Sequence, residues 1–308
     1  SIIGYTNENL TNLGYNFLGY NEQLSNIEIP NVTSIEDDVL ANNKGLEKFE
    51  APNLTEIGDN FLGYNEQLSE FKVPNVIYIG NNVLMFNKGL EKFEAPNLKY
   101  IDDGFLTDNE QLSEFDTPNL EYIGDDFLSC NKELKRFEAP NLTHVGKYFL
   151  CNNEQLSEFN APNLEYIGDD FLSCNKELKR FETPNLTHVG KYFLYDNEQL
   201  SEFNAPNLKY IGDNCLKCNK ELKRFEALNL THIDEGFLYY NEQLSEFNAP
   251  NLEHIGDDFL SCNKELKRFE APNLKYIDDG FLNDNEQLSE FNAPNLEHIG
   301  DDFLSCNK

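Results

Sequence analysis

The chain has 308 residues and carries 55 acidic against 24 basic side chains, a formal charge of −31 at pH 7. That balance excludes binding to nucleic-acid phosphates, which needs clustered Lys and Arg, and equally any attraction to anionic membrane surfaces. No apolar run approaches the roughly 20 residues of a membrane span, and no composition shift or Gly/Ser/Pro-rich linker divides the chain.

Along the chain, proline is the ruler. It recurs every 22 residues from Pro30 to Pro294, with one gap where Leu228 stands in its place. A strict period of this size signals a solenoid and takes precedence over any local reading. Residues 1–20 form a partial unit, complete units run from Asn21 over 21–306, thirteen in all, and 307–308 start a further one. The whole of 1–308 is therefore expected to be a single solenoid domain. Starting and stopping within a unit suits a fragment of a longer protein, or a solenoid that self-associates end to end through uncapped ends.

Counted from its leading Asn, the frame is N-x-x-L-x-x-F-x-x-P-N-L-x-x-I-G-x-x-F-L-x-x. In the unit at Asn153 the apolar positions are Leu156, Phe159, Leu164, Ile167, Phe171 and Leu172. Their spacing matches neither a long helix nor a simple alternating strand. It matches one coil of a short-strand solenoid that buries its apolar groups by stacking on neighbours. The strand is expected in "LSEFNAP" or "LKRFEAP", with Phe and Ala inward and the residues flanking Phe outward, ended by a proline that cannot donate to a ladder.

This frame resembles the BspA-like, or Treponema pallidum-type, leucine-rich repeats, whose unit reads roughly C-x-x-L-x-x-I-x-I-P followed by V-x-x-I-G-x-x-A-F. In "NKELKRFEAPNLTHVGKYFL" the matching positions are Leu134, Phe137, Pro140, Val145, Gly146 and Phe149. The chain departs from the pattern in its 22-residue unit, in Asn where the family often has Cys, and in Ala before Pro. The resemblance implies a β-rich solenoid, a right-handed coil of about 14 stacked units. Short parallel strands would form one face, and turns with short 3-10 or irregular segments the other. Proteins of this family are commonly surface-exposed or secreted and linked to adhesion.

Charged residues follow a period of 44, or two coils. Stacked coils place equivalent residues about 5 Å apart, so identical coils would build destabilising columns of like charge. Instead Glu158, Arg180, Glu202, Arg224, Glu246 and Arg268 alternate in sign beside Phe, as do Glu154, Lys176, Glu198 and Lys220. The strand columns cancel. The net negative charge is accordingly expected on the turns, at Asp125, Asp126, Asp169, Asp170, Asp257 and Asp258.

Four other features invite a chemical reading. All five histidines share one column with tyrosines: Tyr78, Tyr100, Tyr122, His144, Tyr166, His188, Tyr210, His232, His254, Tyr276 and His298. This stripe is either a partner-facing surface, since aromatics are enriched at interfaces, or stacking that covers the edge of the core. "NLT" at Asn141, Asn185 and Asn229 fits an N-glycosylation acceptor, but the same asparagines, one after each Pro, suit an inward amide ladder better. Cys130, Cys174, Cys218, Cys262 and Cys306 recur every 44 residues, about 10 Å apart and beyond disulfide reach. With Cys151 and Cys215 they read as buried small thiols. The "DD" pairs read as solvated turn carboxylates rather than calcium ligands.

No non-repeating cluster of acid, base and nucleophile stands out, so neither catalysis, nor a metal, nor a cofactor is expected. The expected function is a non-enzymatic protein-interaction or display module, by resemblance a cell-surface or secreted adhesin with a host or matrix protein as partner. Nucleic acid and membrane insertion are excluded. Two alternatives stay open: a passive, rigid acidic spacer, and the targeting domain of an intracellular effector.

Overall fold

The computed structural model describes residues 2–307; Lys308, in the expected start of a further unit, lies outside the described residues. The chain forms two compact blocks, Ser1–Leu156 and Ser157–Lys308. Within each block the 22-residue unit is one coil of a parallel β-solenoid, and the described residues contain no helix.

Every coil makes two strands. The first has three residues, such as Lys92–Glu94 or Arg180–Glu182. It lies inside the expected "LKRFEAP" and is shorter than that segment. The second has two residues, such as Tyr100–Ile101 or His188–Val189; it was not anticipated from the sequence. Both pair in parallel with their equivalents 22 positions away. Tyr78, Tyr100 and Tyr122 are partners in the first block, and Tyr166, His188 and Tyr210 in the second.

The three-residue strands pair in couples, and the couples follow the charge period. Lys48–Glu50 pairs with Glu70–Lys72, and Lys92–Glu94 with Glu114–Asp116. In the second block Arg180–Glu182, Arg224–Glu226 and Arg268–Glu270 pair with the strands beginning at Glu202, Glu246 and Glu290. Each of these couples is a Lys/Arg coil followed by a Glu coil, whereas the first couple, Gly4–Thr6 with Asn26–Glu28, carries no such pair. From Lys48 on, the two-coil period of the sequence is also a two-coil period of backbone pairing.

Two β-turns bend each coil. In Ala139-Pro140-Asn141-Leu142 the Leu142 N–H donates to the Ala139 carbonyl at 3.3 Å. Pro presets φ at the first corner position. The corner residues face outward while Ala139 and Leu142 are fully buried. The leading Asn opens the other turn, as in Leu200 N–H to Asn197 O at 2.9 Å. Between them Phe stacks on Phe: Phe181 and Phe203 lie 5.8 Å apart with nearly parallel rings, and Phe193 meets Phe181 edge-on at 5.2 Å. Both arrangements suit the aromatic quadrupole.

The inward amide ladder exists, but the leading Asn builds it, not the Asn after Pro. Asn43 through Asn285, one per coil, are fully buried. In the second block Asn197 accepts the Asn175 N–H through Oδ1 at 3.1 Å. Its Nδ2 donates to the carbonyls of Leu172 at 2.9 Å and Tyr195 at 3.3 Å. One side chain thus satisfies three backbone groups that the coil's bend removes from water. The post-proline asparagines lie outside, on the turn corner, because the buried places of that turn belong to Ala and Leu.

The ladder holds a demanding stretch of backbone. Asp126, Leu128 and Cys130 have φ of 53°, 50° and 61°, and the pattern recurs in every coil. A left-handed residue with a Cβ costs roughly 1–2 kcal/mol, and Leu is among the least suited to it. The conformation turns N–H groups toward both neighbours: Asp126 and Cys130 donate to Lys147 and Cys151 of the following coil, Leu128 to Phe105 of the preceding one. Asn131 then takes the carbonyls of Leu106 and Ser129.

Two variants test this account by chemical denaturation. Asn197→Ala leaves the buried Asn175 N–H and Leu172 carbonyl without partners, while the Tyr195 carbonyl keeps the Cys174 N–H. At about 1–3 kcal/mol for each group, a loss of several kcal/mol is expected. A loss below about 1 kcal/mol would contradict the ladder's role. In the other direction, Thr117 and Thr183 stand where most coils have Ala, and their buried hydroxyls have no hydrogen-bond partner. Thr183→Val keeps the shape and removes the desolvated hydroxyl, so it should stabilise by roughly 1 kcal/mol.

Candidate interaction surface

The tyrosines and histidines of the predicted column are the first residues of the two-residue strands. They face solvent while the following Ile or Val is buried, by the alternation of a strand, except in the last coil, where Ile299 is exposed as well. Tyr78, Tyr100 and Tyr122 form a consecutive run in the first block, followed by His144; Tyr122 is 48% exposed. In the second block Tyr166, Tyr210 and Tyr276 are exposed, with His232 and His298, while His188 and His254 are half-buried.

Ring geometry decides what this column presents. Tyr166 and His188 stack at 4.7 Å with 15° between planes, and Tyr276 and His298 at 4.9 Å with 7°. His188 to Tyr210 is 6.2 Å and His232 to His254 is 6.0 Å. In the two close pairs the rings cover one another's faces, so their edges, phenolic hydroxyls and ring nitrogens point outward. Such a surface offers hydrogen bonds and aromatic edges rather than flat stacking platforms.

Carboxylates not singled out in the sequence complete it. Tyr210 Oη donates to Asp234 at 3.1 Å, Tyr78 makes a short bond to Asp102, and His254 Nε2 lies 3.4 Å from Asp278. Asp102, Asp234 and Asp278 occupy the frame's Gly position, and Gly appears two residues later, as Gly104, Gly236 and Gly280 with φ of 73°, 69° and 73°. The exchange of "IGDD" for "IDDG" or "IDEG" was the available signal. The bond to Asp102 pushes the Tyr78 hydroxyl up to about 12, and that to Asp234 raises Tyr210 likewise.

The strand-face charges meet as their alternation requires. Arg180, Arg224 and Arg268 reach Glu202, Glu246 and Glu290 of the following coil at 3.6, 3.8 and 3.6 Å. Each also pairs with the Glu two residues on in its own strand. Glu158 lies exposed at the equivalent strand position. Steps of the other kind are bridged elsewhere: Lys220 and Lys264 reach Glu198 and Glu242 of the preceding coil at 3.0 and 3.1 Å.

Three sequence expectations are corrected. The post-proline amides are exposed, as described above. Of the cysteines only Cys215 is buried; Cys130, Cys151, Cys174, Cys218 and Cys262 are half-buried and Cys306 exposed. The recurring cysteines close the left-handed stretch at its rim, because the adjacent interior place belongs to the leading Asn. Burial still pushes the thiols of Cys130, Cys218 and Cys262 up, and that of Cys215 much further. Nor are the "DD" pairs simply solvated. The first Asp accepts a backbone N–H from the next coil, Asp125 from Lys147 at 2.7 Å and Asp169 from Lys191 at 2.9 Å. The second sits at positive φ, which Asp tolerates better than most residues. Among the described residues no His, Cys, Asp and Glu side chains gather as a metal site requires, and no helix is long and apolar enough to cross a membrane.

Burial and the neighbouring Asp169 raise the Asp170 carboxyl above its ordinary value. Below the unfolded value the group is protonated in both states and costs nothing. As pH rises through the folded value the penalty develops, then stays constant. Asp170→Asn should therefore raise stability at pH 7 by less than about 1 kcal/mol, with the gain vanishing near about pH 3. A gain equal at both pH values, read from urea midpoints, would assign it to backbone conformation instead.

The description "BspA type Leucine rich repeat region (6 copies)" matches residues 11–134, 78–201, 121–245 and 187–308. Among solved structures, a leucine-rich repeat protein from Bacteroides ovatus is 18% identical, covering 94% of this chain and 78% of that one, with a TM-score of 0.78. A leucine rich cell surface protein from Faecalibacterium prausnitzii is 15% identical over 85% of this chain and 83% of that one, with a TM-score of 0.39. No curated protein matches the chain. The Bacteroides likeness concerns the fold, and the repeat match runs from residue 11 to the end of the chain. The chain belongs to the BspA type leucine-rich repeat family.

Proposed function

We propose that this chain is a non-enzymatic protein-interaction module, displayed at a cell surface or secreted, that engages a host or matrix protein through its Tyr/His column. The observation carrying this reading is the column itself: aromatic edges and hydroxyls held in register on a parallel sheet, with Tyr122 and Tyr210 48% and 47% exposed. Exposed tyrosines with two rotatable angles and a polar tip supply contact area at low entropic cost. The surface or secreted location is what membership of this family favours. The high negative charge keeps such a module soluble and away from anionic surfaces.

The contrasting reading is a rigid acidic spacer, favoured by the uniformity of the coils. Tyr166→Ser/His188→Ser/Tyr210→Ser separates the two. Binding of the wild-type chain to immobilised matrix proteins and to cell monolayers is expected to fall at least tenfold in this variant, with an unchanged circular dichroism spectrum. It should also persist in high salt, because aromatic contacts are not screened. Equal binding by both proteins would remove the column from the function and leave the spacer.

A further inference from the structure

We infer that the turn-corner asparagines Asn141, Asn185 and Asn229 are acceptor sites for N-linked glycans. The inference rests on the secreted or surface location proposed above, and its geometry stands separately. All three head an Asn-Leu-Thr triplet, the acceptor pattern of this modification. All three are exposed on the second corner of the Ala/Thr-Pro-Asn-Leu turn or its Leu228 equivalent, with the following Leu fully buried. A stacked interior amide has no room for a sugar, but the interior ladder is built by the leading asparagines and not by these.

The amide keeps what it needs. An Asn side chain carries two hydrogens on Nδ2. Asn141 and Asn229 each use one toward the carbonyl of the preceding coil's proline, Pro118 at 3.3 Å and Pro206 at 3.2 Å. Asn185 makes two long contacts, to Pro162 O at 3.4 Å and Asn163 Oδ1 at 3.3 Å. Other rungs of the column are tighter: Asn119, Asn207, Asn251 and Asn295 stand at 2.8, 2.8, 2.7 and 2.7 Å. The acceptor amides are therefore among the most loosely held. One hydrogen suffices to retain the rung after the other is replaced by sugar.

Transfer from a polyprenyl-diphosphate oligosaccharide is redox-neutral. The anomeric carbon forms a bond to Nδ2, its bond to the diphosphate oxygen breaks, the diphosphate leaves with the electron pair, and one Nδ2 proton passes to a base of the transferase. Spacing admits the product. In the intervening coils Glu165 and Lys209 replace the Thr of the triplet, so Asn185 and Asn229, both in the second block, lie two strand spacings apart, roughly 9.6 Å. Asn9, Asn31 and Asn53 also head such triplets, but in consecutive coils at roughly 4.8 Å, narrower than a sugar ring with its substituents. There Asn31 is expected to stay bare whenever both neighbours are occupied.

The test is secretion of the full chain behind a heterologous leader from a eukaryotic cell line. Peptide mass spectrometry then follows, with and without N-glycosidase. Expected are occupied Asn141, Asn185 and Asn229, and loss of those three glycans in Thr143→Ala/Thr187→Ala/Thr231→Ala. Bare asparagines at all three in the secreted, folded protein would overturn the inference, as would glycans that survive the threonine changes. Because the leader is supplied, these outcomes do not depend on the native location. Binding to matrix proteins by the same secreted material is read separately and judges the function proposed above.

Discussion

Every residue in this fold has its own counterpart for a neighbour, 22 positions away along the chain and one strand spacing away in space. Stacking like on like favours groups that pack or pair with themselves. Phe stacks on Phe, and an amide with both donor and acceptor pairs with the next amide, so the core columns are uniform. It penalises groups that repel themselves, so the charged columns alternate. One constraint accounts for both the monotony of the interior and the two-coil rhythm of the surface.

In the second block the rhythm connects each step from the coil at Asn175 to the coil at Asn285. A Lys/Arg coil reaches forward from its strand, as Arg224 does to Glu246, and backward from its leading turn, as Lys220 does to Glu198. The coil at Asn219 is thus tied to both neighbours by different side chains. Each exposed pair contributes at most about 1 kcal/mol. The avoided columns of like charge, repeated along the stack, weigh more than any single bridge. Backbone pairing follows the same rhythm on the three-residue strands, whereas the two-residue strands pair in long runs, interrupted between Tyr210–Ile211 and His232–Ile233. The aromatic column therefore rests on the more continuous of the two ladders.

What the sequence made legible was whatever repeats through chemistry: the period, the inward Phe and Leu, the alternating charges. It was less legible where two positions carry the same residue type. Asn appears twice per coil, and only the turn geometry tells which one is inside, because Ala and Leu already fill the buried places beside the second. The left-handed stretch was hidden for a related reason. Its first position is mostly Asp, Asn or Gly, which suits positive φ, but its second is always Leu, which gives no hint of it. The carboxylates at Asp102, Asp234 and Asp278 escaped notice because they are departures from the frame, and a consensus suppresses departures.

Those departures bear on recognition. A perfectly regular coil offers the same surface at every step, so a partner meeting it has no preferred register. In the second block the frame breaks repeatedly between residues 215 and 234. Cys215 replaces a core Phe and is fully buried, with its thiol donating to Gly190 O at 3.0 Å. Leu228 replaces Pro and is 44% exposed, while its carbonyl still accepts from Asn251. Asp234 replaces Gly and holds the Tyr210 hydroxyl. The ladder of two-residue strands is interrupted here, between Tyr210–Ile211 and His232–Ile233, while the Asn214 N–H to the Glu235 carbonyl and the Leu238 N–H to the Cys215 carbonyl still link the two coils. A partner that reads one position of this surface rather than any position has to read it where the surface differs from its own repeat, and in the second block that is here.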